Sequence, residues 1–352
     1  MTDHAIPPPR PDAGAATGRP APDRSGRSDR PALRVLGTVV RVAAGRLASM
    51  ALTLLGASMV VFGALHLAPG SPLSFLTQGR SMTPEAVAAL EARYHLDQPV
   101  AVQYGLWLAG TLRGDFGTSI IYRQDVGSLL ADRAVNTVAL LLVATVLILA
   151  VGLAVGVAAG LRPGRVANSV MGLVTVAMAV PVFVTATVLT LVFAVNLGWF
   201  PVFGPGEGPA GRAHHLVLPG AALSLASVAF VARLTRGAVR RELAAEHVQT
   251  AISRGLPFHL VARRHVLRNA SVSVLTVAGL TVAALIANSV IVEQVFQLNG
   301  LGGHLVSAVQ QKDFPVVQAV CMVYVAGFVV LNTLIDLAYS LLDPRIEVGG
   351  AA

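Results

Sequence analysis

The sequence has 352 residues, of which 54% are hydrophobic and only 12% are charged, whereas charged residues make up about a quarter of a soluble globular protein. This composition excludes a soluble globule and predicts an integral membrane protein. The net charge of +8 would fit a nucleic-acid partner only if the basic residues lay on one soluble face, but here they flank apolar stretches. Cys321 is the single cysteine, which excludes an intrachain disulfide and argues against thiolate ligation of a metal.

The N-terminal segment 1–46 is rich in Pro, Ala, Gly and Arg and has few large apolar residues. Such a composition cannot bury a core, so this segment is predicted to be a disordered tail. The apolar stretch that follows, Leu47 to Leu67, is longer than the roughly 7 to 15 residues of a signal-peptide core, and it is therefore interpreted as an uncleaved first span.

Six stretches of the chain contain no Asp, Glu, Lys or Arg, and each can hold one membrane-spanning helix of about 20 residues. They are Leu47–Gly79, Ala134–Leu161, Val166–Gly206, Ala213–Ala232, Asn269–Val292 and Phe314–Ile335. An even number of spans places both termini on one side. Lys and Arg are concentrated in the segments of that side, so both termini and the loop around Gly255 are expected in the cytoplasm.

The segment between the first two spans is expected outside the membrane. Thr83-Pro84-Glu85 provides a helix cap, a proline in the first turn and an acidic residue near the positive helix end. A second helix, 100–112, presents Val102, Leu106 and Trp107, which predicts an amphipathic helix lying on the membrane or on the spans. We favour a structural brace over substrate capture for this segment.

Two residues, one within an apolar stretch and one directly after such a stretch, suggest a pathway. Pro181 lies at the centre of the third stretch, where a proline bends a helix; a gated pathway can use such a bend, and an ordinary packing kink is the alternative. Glu293 follows the fifth stretch directly. It is expected either to contribute to the outer gate or simply to extend its carboxylate to the lipid headgroups.

The polar, Arg-rich segment 240–270 separates the fourth and fifth spans. Its pattern predicts a short helix over Leu243–Arg254, a turn at Gly255, and a second helix over Phe258–Asn269 that begins after Pro257. A short helix with a small-residue face between two membrane anchors suits the groove of another protein. An ordinary positively charged loop is the alternative.

This segment resembles the coupling loop of ATP-binding-cassette importer permeases, in the form found in the dipeptide, oligopeptide and nickel group. The resemblance rests on the run 248–251, on Gly255, and on the matches at 264–265 and 268–270; His247 and Gln249 depart from the usual Tyr and Arg. The strings LDQPVAVQYGLWLAGTLRGDFGTS, HLVLPG and KDFPVVQ match the same group, so the resemblance extends from about Leu47 to Ile346.

The resemblance implies an all-α, polytopic protein of the cell membrane with six transmembrane helices and the type I ABC importer permease fold. It divides the chain into a cytoplasmic tail, the first span with its extracytoplasmic segment, a transmembrane core and a C-terminal tail, over 1–46, 47–133, 134–343 and 344–352. The implied coupling residues are Glu246, Val248, Thr250, Ala251, Gly255, Leu256 and Arg264. The implied pathway or gate residues are Pro181, Glu293, Phe296, Gly300 and Gly302.

The implied function is that of a pore-forming permease subunit of an ATP-driven importer for peptides, with nickel or another small solute as the alternative. The implied partners are a second homologous permease, two cytoplasmic ATPases and an extracytoplasmic binding protein, with no cofactor. Lys312, the single lysine, follows Gln311, so the chain lacks the phosphate-binding lysine motif of an ATPase.

Two other classes fit less well. An intramembrane serine protease needs a Ser in a G-x-S-G setting with a His from another span, and this combination is not present. A secondary transporter is expected to carry ionisable residues at mid-span and a repeated half. The mid-span positions here are free of charge, and no repeat is evident.

Overall fold

The structure, a computed structural model, describes residues 31–67, 83–93 and 96–342. Most of the predicted N-terminal tail and the predicted C-terminal tail lie outside these ranges. The chain divides into two compact units, 1–45 and 46–352, and every site described below belongs to the second. Within the described ranges the regular secondary structure is helical, and one isolated β-bridge joins Thr118 to Asp125. The predicted all-α fold is confirmed.

The helices are numbered here in chain order. They are α1 (Pro31–Leu67), α2 (Pro84–Arg93), α3 (Val100–Leu112), α4 (Val126–Leu161), α5 (Arg165–Ala179), α6 (Val182–Asn196), α7 (Gly208–Leu243), α8 (Glu246–Ser253), α9 (258–296), α10 (Leu301–Gln311) and α11 (Phe314–Leu342). Helix α9 is built from three contiguous segments, Phe258–Val261, the π-helical Ala262–Leu267, and Arg268–Phe296.

Five helical stretches are long and apolar enough to cross a bilayer. They are Ala44–Ala64, Val126–Leu161, Gly208–Leu243, Val277–Phe296 and Phe314–Ile335. Helices α5 and α6 are long and apolar enough to cross a bilayer only when they are taken together, and the chain bends by 108° between them. Within the described residues the bundle therefore has five continuous helical spans and one broken element.

Contacts at both ends of α7 locate this broken element. Near the beginning of α5, Asn168 Oδ1 accepts a hydrogen bond from Arg236 Nη2 at 2.6 Å, and Arg236 lies in the last third of α7. Just after α6, the Trp199 carbonyl accepts from His214 Nε2 at 3.0 Å, and His214 lies near the start of α7. Because these contacts are at opposite ends of α7, the bent pair runs from one end of the bundle to the other. The part of the chain that the structure describes thus has six elements that are able to cross a membrane, as predicted.

The bend in the third span lies at Pro181. Val180 adopts an extended conformation with φ −81° and ψ 123°, and Pro181 has ψ 144°, so helix α5 ends at Ala179 and α6 begins at Val182. Proline lacks the N–H that would continue the helical ladder, and it disfavours helical backbone in the residue before it. The predicted bend is confirmed, and it is a complete break in the helix.

Helix α7 is the centre of the bundle. It packs against α4, α5, α6 and α9, and it continues beyond the predicted window through the Arg-rich residues to Leu243. Three glycines of α4 face α7 and are spaced four residues apart, namely Gly152, Gly156 and Gly160. A Cβ atom at Gly156 would lie 2.5 Å from Thr235 Cβ and 2.6 Å from the Ala232 carbonyl oxygen. The two backbones therefore approach as closely as small-residue interfaces in membranes allow.

Helix α3 packs against the first span. The rings of Tyr104 and Trp107 lie 5.4 Å and 5.6 Å from the ring of Phe62, and the Tyr104 hydroxyl is 2.8 Å from Ser58 Oγ. Val102 and Leu106 are exposed. This helix was predicted to lie either on the membrane or on the spans, and the structure shows it packed on the first span.

We predict that Gly156→Ala lowers the free energy of unfolding of the purified protein in detergent by about 1 to 3 kcal/mol, because the added methyl group forces α4 away from α7. The unfolding midpoint in a thermal melt measures this change. Gly172→Ala in α5 is the matched control, since a Cβ there meets no atom within 4 Å. An equal unfolding midpoint for the two variants would contradict the close α4–α7 contact.

Candidate functional sites at the two ends of the bundle

One candidate site is the connection between α7 and α9, at what we call the α8 end of the bundle. Helix α7 ends at Leu243, Ala245 is extended, and α8 spans Glu246–Ser253. Gly255 then has φ +78°, a left-handed conformation that side chains other than glycine rarely adopt. Its N–H donates to the Ile252 carbonyl at 2.9 Å, which closes the end of the helix.

The predicted turn at Gly255 is confirmed, whereas the predicted helices on either side differ from those observed. The predicted helix Leu243–Arg254 is shorter in the structure because α7 itself occupies Leu243. The predicted second helix Phe258–Asn269 does not end at Asn269; it continues into the fifth span as α9. A π-helical turn, Ala262–Leu267, absorbs the change from the amphipathic to the apolar part without breaking the helix.

One face of α8 is packed into the chain itself. Val248 has no exposed surface and Ala251 only 6%. They belong to a buried cluster with residues from the end of α7 and the start of α9, namely Ala238, Val239, Val261, Val266, Ala270 and Val274. Two of the predicted coupling residues, Val248 and Ala251, therefore anchor α8 to the two helices that flank it.

The opposite face of this connection is open. The predicted coupling residues Glu246, Thr250, Gly255, Leu256 and Arg264 are all exposed. Besides Leu256, three large apolar side chains of this connection are exposed, namely Ile252, Phe258 and Leu260, with 53% of Phe258 accessible. Apolar side chains held outside the spans on a short, anchored helix are typical of a protein interface.

A polar cluster closes the base of this connection. Asn269 Nδ2 donates to Glu242 Oε1 at 2.8 Å, and His247 Nε2 lies 3.0 Å from the same oxygen. These side chains join the end of α7, the first turn of α8 and α9. In the sequence, Asn269 was noted only as a match to the family pattern and His247 only as a departure from it. Their contact could not be predicted, because it depends on how the three helices fold together.

The other candidate site is at the opposite end of the bundle, where α9 meets α10. Glu293 is 1% exposed. Its Oε2 accepts from the N–H groups of Gly302 at 2.7 Å and Gly303 at 3.2 Å, and its Oε1 accepts from Thr137 Oγ1 at 2.7 Å. The Glu293 carboxyl group therefore joins α9, the first turn of α10 and α4. Extension of this side chain to the lipid headgroups is not what the structure shows.

Two of the predicted gate residues, Gly300 and Gly302, lie next to this carboxyl group. Phe296 is buried in the main apolar cluster. A Cβ at Gly300 would lie 2.3 Å from Glu293 Oε2, and one at Gly302 would lie 2.5 Å from Val290 Cα. Pro181 lies at the break between α5 and α6, where its carbonyl accepts hydrogen bonds from the N–H and Oγ1 of Thr185.

A second buried carboxylate, Asp313, follows α10. It is 1% exposed, and it accepts hydrogen bonds from Ser119 Oγ at 2.5 Å and from the N–H groups of Ile120 at 3.2 Å and Ile121 at 3.3 Å. Sequence reasoning did not select Asp313 as a site residue. An Asp directly before Phe314-Pro315 is a helix-start signal that could have identified it as a capping residue.

His304 of α10 is buried beside this cluster, and its ring lies 5.6 Å from that of Tyr122. Burial, helped by the positive charge of Arg133, lowers the pKa of His304 to about 4, although the negative charge of Asp313 opposes the shift. The imidazole is therefore neutral near pH 7.

The comparisons with known proteins identify the family. Residues 152–348 match the model of the binding-protein-dependent transport system inner membrane component, and residues 39–141 match the model of its N-terminal region. The chain belongs to this family of inner-membrane transport components, and it is a multi-pass membrane permease of the ABC importer class.

Several curated relatives align over most of this chain and over nearly all of their own length. The "Probable peptide ABC transporter permease protein y4tP" of Sinorhizobium fredii is 34% identical over 86% of this chain and 97% of that protein. The "Oligopeptide transport system permease protein AppB" of Bacillus subtilis is 35% identical over 84% and 95%. The "Glutathione transport system permease protein GsiC" of Salmonella typhi is 33% identical over 86% and 97%.

We predict that Gly300→Ala disrupts transport because its methyl group displaces the Glu293 carboxyl group from α10. Gly303→Ala is the matched control, because a Cβ there meets only Gln294 Oε1, at 3.7 Å. The measurement is substrate uptake by cells that contain equal amounts of each variant. Equal uptake by the two variants would show that the position of the Glu293 carboxyl group does not matter.

His304 provides a prediction on pH. The unfolded chain takes up the His304 proton below about pH 6.5, whereas the folded chain does so only near pH 4, so the free energy of unfolding falls over this interval and levels off below it. The unfolding temperature of the native protein is expected to drop between pH 7 and pH 5 by more than that of His304→Gln. Parallel decreases in the two proteins would contradict a buried neutral His304.

Proposed function

We propose that this chain is the pore-forming permease subunit of an ATP-driven importer of peptides. The observation that carries the proposal is the α8 connection, a short helix that is anchored to two membrane-spanning helices by its buried face. Apolar side chains are exposed on its other face and in the turn and helix start that follow it. The peptide, oligopeptide and glutathione transport named for the relatives supports a peptide substrate.

The α8 end of the bundle faces the cytoplasm in this proposal, together with both termini. The last turns of α7 and the first turns of α9 carry several arginines, among them Arg236, Arg240, Arg263 and Arg268. Lys and Arg in short loops favour the cytoplasmic side. The α10 end then faces the exterior, where a substrate-binding protein would deliver the ligand.

The energy source is a pair of ATP-binding-cassette ATPases, one of which binds the exposed side of α8. Ile252, Leu256 and Phe258 provide the apolar contacts, and Glu246, Thr250 and Arg264 provide polar contacts around them. Val248 and Ala251 contribute differently, because their burial makes α8 move together with α7 and α9.

The gate belongs to the α10 end. Glu293 and the glycines at 300 and 302 hold α10 against α4 and α9, and the break at Pro181 allows α5 and α6 to change their mutual angle. A second, homologous permease completes the pore, with the core 134–343 forming the half contributed by this chain and the segment 47–133 bracing it.

Uptake in cells tests the proposal. Cells that lack only this chain are expected to lose ATP-dependent uptake of a labelled mixture of dipeptides and oligopeptides, and to regain it when the chain is restored. Unchanged uptake of every peptide in the deleted strain, with loss of uptake of another solute, would overturn the peptide assignment.

Coupling gives a sharper prediction. Gly255→Val forces a β-branched residue into a left-handed backbone conformation, at a cost of about 1 to 3 kcal/mol, and this changes the angle between α8 and α9. We expect normal abundance in the membrane but reduced peptide uptake and reduced substrate-stimulated ATPase activity in the reconstituted complex.

The matched control is Gly164→Val, in the short connection between α4 and α5 at the same end of the bundle. Gly164 has an extended backbone with φ 166°, and a Cβ there meets no atom within 4 Å. We expect this variant to behave like the native protein. Wild-type uptake by Gly255→Val would reject a role for this turn in transmitting the action of the ATPase.

A further inference from the structure

A tight hairpin, 117–126, precedes α4 at the α10 end of the bundle. Its backbone is closed by hydrogen bonds from Ser119 N–H to the Gln124 carbonyl at 2.9 Å and from Arg123 N–H to the Ser119 carbonyl at 3.0 Å. The tip of the hairpin from Tyr122 to Gln124 is exposed, whereas Ser119 is buried at its base. The hairpin is therefore a short, internally bonded element with an accessible tip.

Asp313 fixes this hairpin to the junction between α10 and α11. Its carboxylate accepts one hydroxyl and two backbone N–H groups, all three from Ser119–Ile121. Its own N–H donates to the Ala308 carbonyl in α10 at 2.8 Å. A carboxylate this deeply buried is stable only when its oxygens are hydrogen-bonded, so the junction and the hairpin depend on each other.

Helix α10 is consequently held at both ends. At its first turn, N–H groups of α10 donate to the Glu293 carboxyl group. Just beyond its last turn, the carboxylate of Asp313 accepts hydrogen bonds from the hairpin. At both ends the link is made to a segment from earlier in the chain, Thr137 of α4 at one end and Ser119 at the other. Movement of α10 must therefore involve the hairpin, the α9 carboxyl group, or both.

We propose that Asp313 is a positioning residue that makes hairpin 117–126 and α10 a single rigid unit, so that contact of a partner protein with the hairpin tip is transmitted to α10. The transmission step rests on the proposed import function, because it assigns α10 to the gate. The rigid link itself is a property of this chain and can be measured separately.

Distance measurement between two spin labels tests the link. The full chain carries labels at Gln124→Cys, on the hairpin tip, and at Gln310→Cys, on α10, in a Cys321→Ala background; both labelled positions are exposed. In the complex reconstituted with its ATPase and permease partners, we expect one narrow distance distribution. It should be the same at rest and after trapping with ATP and vanadate.

Asp313→Ala should broaden this distribution and lower peptide uptake about tenfold, since removal of one partner from a buried, charged hydrogen-bond cluster is costly. Asp115→Asn is the matched control; it changes an exposed carboxylate just before the hairpin but keeps the oxygen that accepts from Gly117 N–H. The control should leave both the distance and uptake unchanged.

Two further variants separate linkage from general instability. Asp313→Asn keeps one carbonyl acceptor, so it should fold even where the alanine variant does not, and should give intermediate broadening and intermediate uptake. Ser119→Ala should have a partial effect alone and no added effect in Asp313→Ala, because Ser119 acts through that carboxylate.

The outcomes distinguish this inference from the proposed function. A narrow, unchanged distance in both Asp313 variants would overturn the rigid link, whatever the transport result. Broadening with undiminished uptake would overturn the transmission of contact to α10. Absence of peptide uptake with the native chain would overturn the peptide assignment alone, because the distance between the labels does not depend on the substrate.

Discussion

The structure depends on one buried carboxyl group, that of Glu293, which is 1% exposed and lies near the end of a membrane-spanning helix. In such an environment each polar atom needs a partner within the protein. Glu293 finds its partners on two other helices, at Thr137 in α4 and at the first N–H groups of α10. The same contact requires glycine at 300, where a side chain would occupy the space of the carboxyl oxygen. One acidic residue thereby determines how three segments meet.

Helix continuity connects this contact to the opposite end of the molecule. Helix α9 runs over 258–296, about 60 Å at 1.5 Å per residue, from the turn after Gly255 to the residue after Val295. Helix α7 spans a similar distance beside it, and the buried Val248 fastens α8 to both. A displacement of α8 therefore cannot be absorbed locally and must move α7 and α9, whose far ends lie near Trp199 and Glu293.

Much of this architecture follows from the sequence. Charge-free windows predicted six crossings, and the proline at 181 and the glycine at 255 predicted a bend and a turn where the structure has them. The fourth window placed the end of its helix too early, because an arginine marks the limit of the bilayer and not the limit of a helix, so α7 extends to Leu243. The four-residue spacing of Gly152, Gly156 and Gly160 could also have predicted the close contact of α4 with another helix.

The orientation of single side chains was harder to predict, and the reason is tertiary. Val248 and Ile252 are both apolar residues of α8, yet one is buried and the other exposed, because the flanking helices cover only one side of α8. Asp313 resembles an ordinary helix cap in the sequence, and its link to Ser119 joins positions far apart in the chain. The local pattern identifies such residues as polar or apolar, whereas their structural role depends on the segments that pack around them: α7 and α9 for Val248, and the hairpin for Asp313.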